Sequence, residues 1–146
     1  MALPSPQPRL MPLHPAQPAL YAGFGCRRGC PVETLSVLLR QTLNQNALPL
    51  SCLRGIASIT PKAREPGLLA LAERLGLPFV CFDAPHLLGF EAQLTQRSAA
   101  AYAQTGCWGV AESAALALAG QALTPPRLHI PRQTLAGATL ALAIGG

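Results

Sequence analysis

Between residues 19 and 144 the chain alternates short apolar runs with amphipathic stretches. Residues 20–24 are almost all apolar and give way at Gly25, which is the pattern of a buried strand. Pro31 suits the start of a helix, where its missing N–H costs nothing, and Glu33 then faces the positive end of the helix dipole. Val32, Leu35, Leu38, Leu39 and Leu43 recur on one helical face through about residue 44. Residues 55–59 predict a second strand. A second helix runs from Pro66 to Leu75, with Leu68, Leu69, Ala72 and Leu75 inward and Gly76 as its stop. Residues 78–82 predict a third strand, ending in Asp83.

This β-α-β-α-β order predicts right-handed crossovers and a parallel sheet. The signal then weakens. Residues 86–94 read as irregular or shortly helical, and residues 98–104 as one or two helical turns. Residues 110–119 are apolar nearly all round and predict a buried helix. Strands follow at 127–130 and 139–144, joined by a loop containing Pro131 and Gly137, a gap that suits an antiparallel hairpin covering the sheet edge. The expected architecture is one α/β domain over residues 19–146, with a central, mostly parallel sheet flanked by helices and a C-terminal antiparallel strand pair. Six prolines in residues 1–18 forbid a regular helix and predict an extended, loosely packed lead.

Composition narrows the class of partner. A chain of 146 residues supports one domain, and 50% hydrophobic against 12% charged residues supplies a core. Twenty-six leucines and 25 alanines favour helices over an all-β sandwich. Aromatic residues, at 5%, are too few for the stacking platform that single-stranded nucleic acid uses, and the basic residues form no stripe, so no nucleic-acid partner is expected. No apolar run reaches the roughly 18 residues of a membrane span, and residues 1–18 lack the apolar core of a signal peptide. Five cysteines, an odd number without a secretory pattern, read as the reduced thiols of a cytoplasmic protein. The net charge is +5, and ten of the eleven basic residues are arginine, whose fork suits carboxylate and phosphate groups. The expected partner is an anion.

Ligands of open parallel sheets bind beyond the carboxyl ends of the strands, and three polar clusters follow apolar elements here. The first is Gly23-Phe-Gly-Cys-Arg-Arg-Gly29. Gly25 and Gly29 permit a tight turn and close approach, the next helix offers free N–H groups, and Arg27 and Arg28 add two cationic forks. It lacks both the Gly-Lys-Ser/Thr ending of a Walker loop and the third glycine of a dinucleotide fingerprint. The alternative is a solvent-facing turn. The second cluster, from Thr60 to Gly67, holds Lys62, the one lysine in the chain, and Glu65 just before a helix. Glu65 is there either a dipole-stabilised helix-start residue or part of a site shared with the first loop. In the third cluster Gly109 is an N-cap and Glu112 the third helical residue. From that position a carboxylate can reach back to backbone N–H groups or act as a general acid or base. Cys26 and Cys30 have metal-like spacing without a second Cys/His pair, and His14, His86 and His129 are scattered, so neither a metal site nor a cofactor is expected.

Taken together, four segments resemble a known family. Gly25-Cys-Arg-Arg-Gly29, Lys62 with Glu65-Pro-Gly-Leu68, Val110-Ala-Glu112-Ser-Ala-Ala-Leu116 and Ala138-Thr-Leu-Ala-Leu-Ala143 are similar, in that order, to the CobE family of cobalamin-biosynthesis proteins. The same domain forms the C-terminal part of CbiG, the cobalt-precorrin-5A hydrolase. The resemblance spans residues 19–145 and implies a part in building the corrin ring of vitamin B12. Three roles follow from it: binding or carrying a polycarboxylate corrinoid (precorrin) intermediate, hydrolysing a precorrin ring lactone, or serving as an accessory subunit docked on another corrin-pathway enzyme. CbiG-type proteins carry further domains upstream, so the likeness is to the free-standing form. The resemblance makes Gly25, Arg27, Arg28, Gly29, Thr60, Lys62 and Arg132 the expected ligand-binding residues. Lys62, Glu65 and Glu112 become the candidates for proton handling, with the two glutamates alternatively orienting the bases. Two positions depart from the family pattern: Gly109, where serine is common, and Arg132, where lysine is common. Arg132 keeps the charge but cannot titrate. A macrocycle also needs an apolar wall, which the sequence does not locate.

Overall fold

A computed structural model describes residues 18–121 and 125–145, so the proline-rich lead lies, but for its last residue, outside the described residues. Five strands form one mixed sheet: β1 (Leu20–Cys26), β2 (Leu53–Ile59), β3 (Phe79–Phe82), β4 (Arg127–Leu135) and β5 (Ala138–Ile144). Their order across the sheet is β3-β2-β1-β5-β4. β1, β2 and β3 are parallel, as the alternation of strands and helices predicts. β5 runs antiparallel on the other side of β1, and β4 antiparallel to β5 at the edge.

The helices are α1 (Val32–Gln45), α2 (Pro66–Leu75), α3 (Ala84–Leu88), α4 (Ala99–Thr105) and α5 (Val110–Ala119). Alternation along β1 divides them into two layers. Leu20, Ala22 and Phe24 join Leu140 and Leu142 of β5 in a core closed by Leu35, Leu38, Leu39 and Leu43 of α1 and Leu68 and Leu71 of α2. On the opposite face, Ala57 and Ile59 of β2 and Ala141 and Ala143 of β5 meet the alanine-rich α5. Pro31 is the N-cap of α1 rather than its first residue, and Gly76 ends α2 with a φ of 66°, a left-handed stop that glycine adopts without strain. The inward face of α2 differs from expectation. Leu69 is 45% exposed, while Leu71 is buried, because the buried row runs through 68, 71 and 72 and Leu69 stands about 100° round the helix from its neighbour.

The largest departure is at the C-terminal hairpin. The expected loop from residue 131 to 138 is mostly strand, since β4 continues to Leu135 and the turn is only Ala136 and Gly137. Both turn residues have positive φ, 46° and 86°, as a two-residue hairpin matched to the strand twist requires. Pro131 argues against a central strand, but β4 is an edge strand and its ladder is already interrupted there. Ile130 pairs with Leu142 and Gln133 with Leu140, so Pro131 and Arg132 bulge against Ala141.

Candidate functional site

The loops that follow β1 and β2 come together at the carboxyl edge of the parallel strands. Gly29 adopts a φ of 78°, which turns its N–H toward Glu65, whose Oε2 accepts it at 2.8 Å. The other oxygen, Oε1, lies 3.7 Å from Lys62 Nζ. Glu65 is 7% exposed, so this carboxylate is an internal tie between two loops that sequence spacing places side by side. Cys26 pairs with Ala138, which brings the first loop against the β4–β5 turn as well. There the Arg27 N–H donates to the Gly137 carbonyl at 3.2 Å. A Cβ on residue 137 would overlap Arg27 Nε, so the absent side chain of Gly137 is what lets the Arg27 guanidinium lie across the turn.

Beside this junction a cavity of about 500 Å³ opens between the loops, the N-terminus of α5 and α4. Arg27, Arg28, Lys62 and Arg132 line it and, among the described residues, no acidic side chain does. Gly25 lines its floor, where Thr139 Oγ1 donates to the Gly25 carbonyl at 3.3 Å. Ile59, Ala100, Ala101 and Val110 supply the apolar wall that sequence reading left unplaced. Ser98 and Gln104, also on the lining, come from a stretch whose pattern carried no functional signal, whereas Thr105 opens the third polar cluster.

Four residues named from sequence stand outside the cavity lining. Gly29 and Glu65 form the tie just described and border a smaller hollow of about 310 Å³. Thr60 is exposed on the short turn Thr60–Lys62, where its carbonyl accepts the Ala63 N–H at 2.9 Å. Glu112 is 1% exposed and faces away from any solvent. It sits three residues beyond the N-cap Gly109, as expected, but reaches neither its own helix start nor Lys62. Instead Oε1 accepts the Thr95 N–H at 2.8 Å, and Oε2 accepts both the Thr95 hydroxyl at 2.5 Å and the Arg132 N–H at 2.9 Å. The Arg132 N–H is free for this bond because the β4 bulge removes it from the ladder.

Cys26, also on the lining, is a neutral thiol at physiological pH. Burial, with smaller contributions from Glu65 and Cys30, outweighs the opposing charge of Lys62 and pushes its pKa from 9.0 to about 11. Thiolate is the reactive form, so alkylation of Cys26 by iodoacetamide should be slow at pH 8 and climb only toward pH 11. Peptide mapping across that range checks this, and a rate that levels off below pH 9 would contradict it. Because the folded pKa lies above the unfolded one, the stability gained from the protonated thiol is complete below pH 9. It is lost as pH rises toward 11. Among the described residues, no group of three His, Cys, Asp or Glu side chains is placed to hold a metal, and no helix is long and apolar enough to cross a membrane.

The chain is similar to several known proteins. Residues 20–143 match the family described as cobalamin synthesis G C-terminus. Protein CobE of Sinorhizobium sp is 36% identical over 124 residues, covering 85% of this chain and 79% of that protein. The cobalt-precorrin-5A hydrolase of Salmonella typhimurium is 39% identical over 89 residues, 61% of this chain but only 24% of the hydrolase. The crystal structure of CobE, from the cobalamin biosynthetic pathway, superposes with a TM-score of 0.83 at 41% identity, over 92% of this chain and 94% of that one. The cobalamin biosynthesis protein chiG of Agrobacterium tumefaciens superposes with a TM-score of 0.63 at 28% identity, over 86% of this chain and 97% of that one. The five-strand mixed sheet is thus the sheet of these proteins, and the chain belongs to the cobalamin synthesis G C-terminus family.

Proposed function

We propose that this chain binds a polycarboxylate corrinoid intermediate of cobalamin biosynthesis in the cavity at the carboxyl edge of its sheet. The observation that carries the reading is the lining itself: among the described residues, four cations, no carboxylate side chain, and an apolar wall of Ile59, Val110, Ala100 and Ala101. Corrin intermediates combine a flat apolar ring with peripheral acetate and propionate groups, and each half of that chemistry has its counterpart in the lining. Charge-assisted hydrogen bonds contribute roughly 1.5–3 kcal/mol each, so three or four of them give affinity of the order of micromolar once association costs are subtracted.

Binding is favoured over lactone hydrolysis by the placement of the two glutamates. Glu65 and Glu112 each spend their oxygens on backbone N–H groups and neighbouring side chains, and neither lines the cavity. The test is a visible-absorbance titration with cobyrinic acid, a coloured corrin with free peripheral carboxylates, followed by gel filtration. A stoichiometric complex that releases unchanged pigment is expected. Incubation with a lactone-bearing precorrin is the second arm: ring opening there would put hydrolysis in place of binding, and no complex with either pigment would remove both readings.

A further inference from the structure

Arg132 differs from the other cavity cations in how it is held. Its backbone N–H is fixed by Glu112 Oε2, and its Nη2 donates to Gln96 Oε1. Its Nε–H is buried and has no partner, an arrangement that leaves a donor desolvated and unsatisfied. Gln96 follows Thr95 directly, and Thr95 is held twice by the same Glu112 carboxylate. One buried carboxylate therefore clamps two segments whose adjacent side chains, Gln96 and Arg132, meet each other.

Resting on the corrinoid reading, we infer that Glu112 is a positioning residue that presents Arg132 to one peripheral carboxylate of the ligand. Gln96 holds the guanidinium through Nη2, beside the cavity that Arg132 lines. Both Glu112 oxygens are already engaged by three donors inside the protein, which leaves the carboxylate no free face for substrate. The arrangement also separates Arg132 from Arg27 and Lys62. It sits on β4, and they follow β1 and β2, so the ligand is gripped from two sides of β5.

Glu112→Gln tests this because an amide offers one acceptor oxygen where two are in use. Its NH2 group must then face the N–H of either Thr95 or Arg132. Cobyrinic acid affinity is measured for the wild type, Glu112→Gln, Arg132→Ala and the double variant, with amide hydrogen exchange at Thr95 and Arg132. Each single variant should bind about tenfold more weakly, and the double variant no more weakly than Arg132→Ala alone. Exchange at Thr95 or Arg132 should quicken in Glu112→Gln. Additive losses, or faster exchange with unchanged affinity, overturn the inference. Should Glu112→Gln fail to fold, Gln96→Ala makes the same test: weaker binding than wild type, and no further loss in the Arg132→Ala background. Loss in both backgrounds would overturn the inference. A wild type that does not bind cobyrinic acid is recognised before any variant is made, and takes the corrinoid reading and this inference away together.

Discussion

Replacing Gly23 by alanine should lower the unfolding free energy by about 3 kcal/mol, at the upper end of what overpacking costs. Gly23 lies in β1 at the point where α5 crosses the sheet, and a Cβ there would overlap the carbonyl oxygen of Ala111 and the amide nitrogen of Ala115. Both obstacles are backbone, so no rotamer change relieves them. Strand or helix must shift, and with it the N-terminus of α5 that borders the cavity. For a chain of this size the loss corresponds to roughly 10 °C in Tm. Gly25→Ala is the internal comparison, because its Cβ would meet the Thr139 hydroxyl at 2.6 Å, a side-chain atom that can rotate away. Thermal unfolding of both variants decides the matter. If Gly23→Ala melts with the wild type, the direct contact of α5 with β1 is wrong.

Removing Arg27 and Lys62 together should weaken cobyrinic acid binding about a hundredfold. Each contributes a charge-assisted hydrogen bond, and the upper values for such bonds do not apply because Arg27 is exposed and Lys62 only half-buried. About tenfold per residue is the appropriate scale. Raising salt from 0.15 M toward 1 M shortens screening from about 8 Å to about 3 Å, and should weaken the wild type more steeply than the double variant. Arg40→Ala serves as control: it bonds Ser36 on the outer face of α1, away from the cavity, and should bind as wild type does. Equal affinities for the Arg27→Ala/Lys62→Ala protein and the control would dismiss the cationic rim as the recognition element.

The parallel half of the fold was legible because its signals are local. Apolar runs of strand length, Pro at helix starts and Gly76 at a helix end each report on a few neighbouring residues. The end of α5 and both ends of α2 follow from such signals alone. The β4 extension was not legible, since Pro131 reads as a breaker until the strand is known to be an edge with a bulge in the right place. In the site, the neighbouring loops of Arg27 and Lys62 follow from strand adjacency. The role of Glu112 does not, because its partners Thr95 and Arg132 lie 17 and 20 residues away in opposite directions. The α4 wall was missed for a related reason. It buries no residue of its own, so it has no apolar stripe to reveal it, and it matters only as the far side of a cavity.

The position of β5 also bears on how the domain is made. It lies inside the sheet between β1 and β4, yet it pairs with a strand synthesised more than a hundred residues earlier, Thr139 meeting Gly25 across 114 positions. While the chain is still on the ribosome, β1 has a partner on one side only, and the core beneath α1 lacks the wholly buried Leu140 and Leu142. The β-α-β-α-β portion therefore emerges with an open strand edge that any other extended segment can occupy. Native closure waits until the polypeptide through Ile144 has cleared the exit tunnel, and the open edge is exposed to chaperones until then.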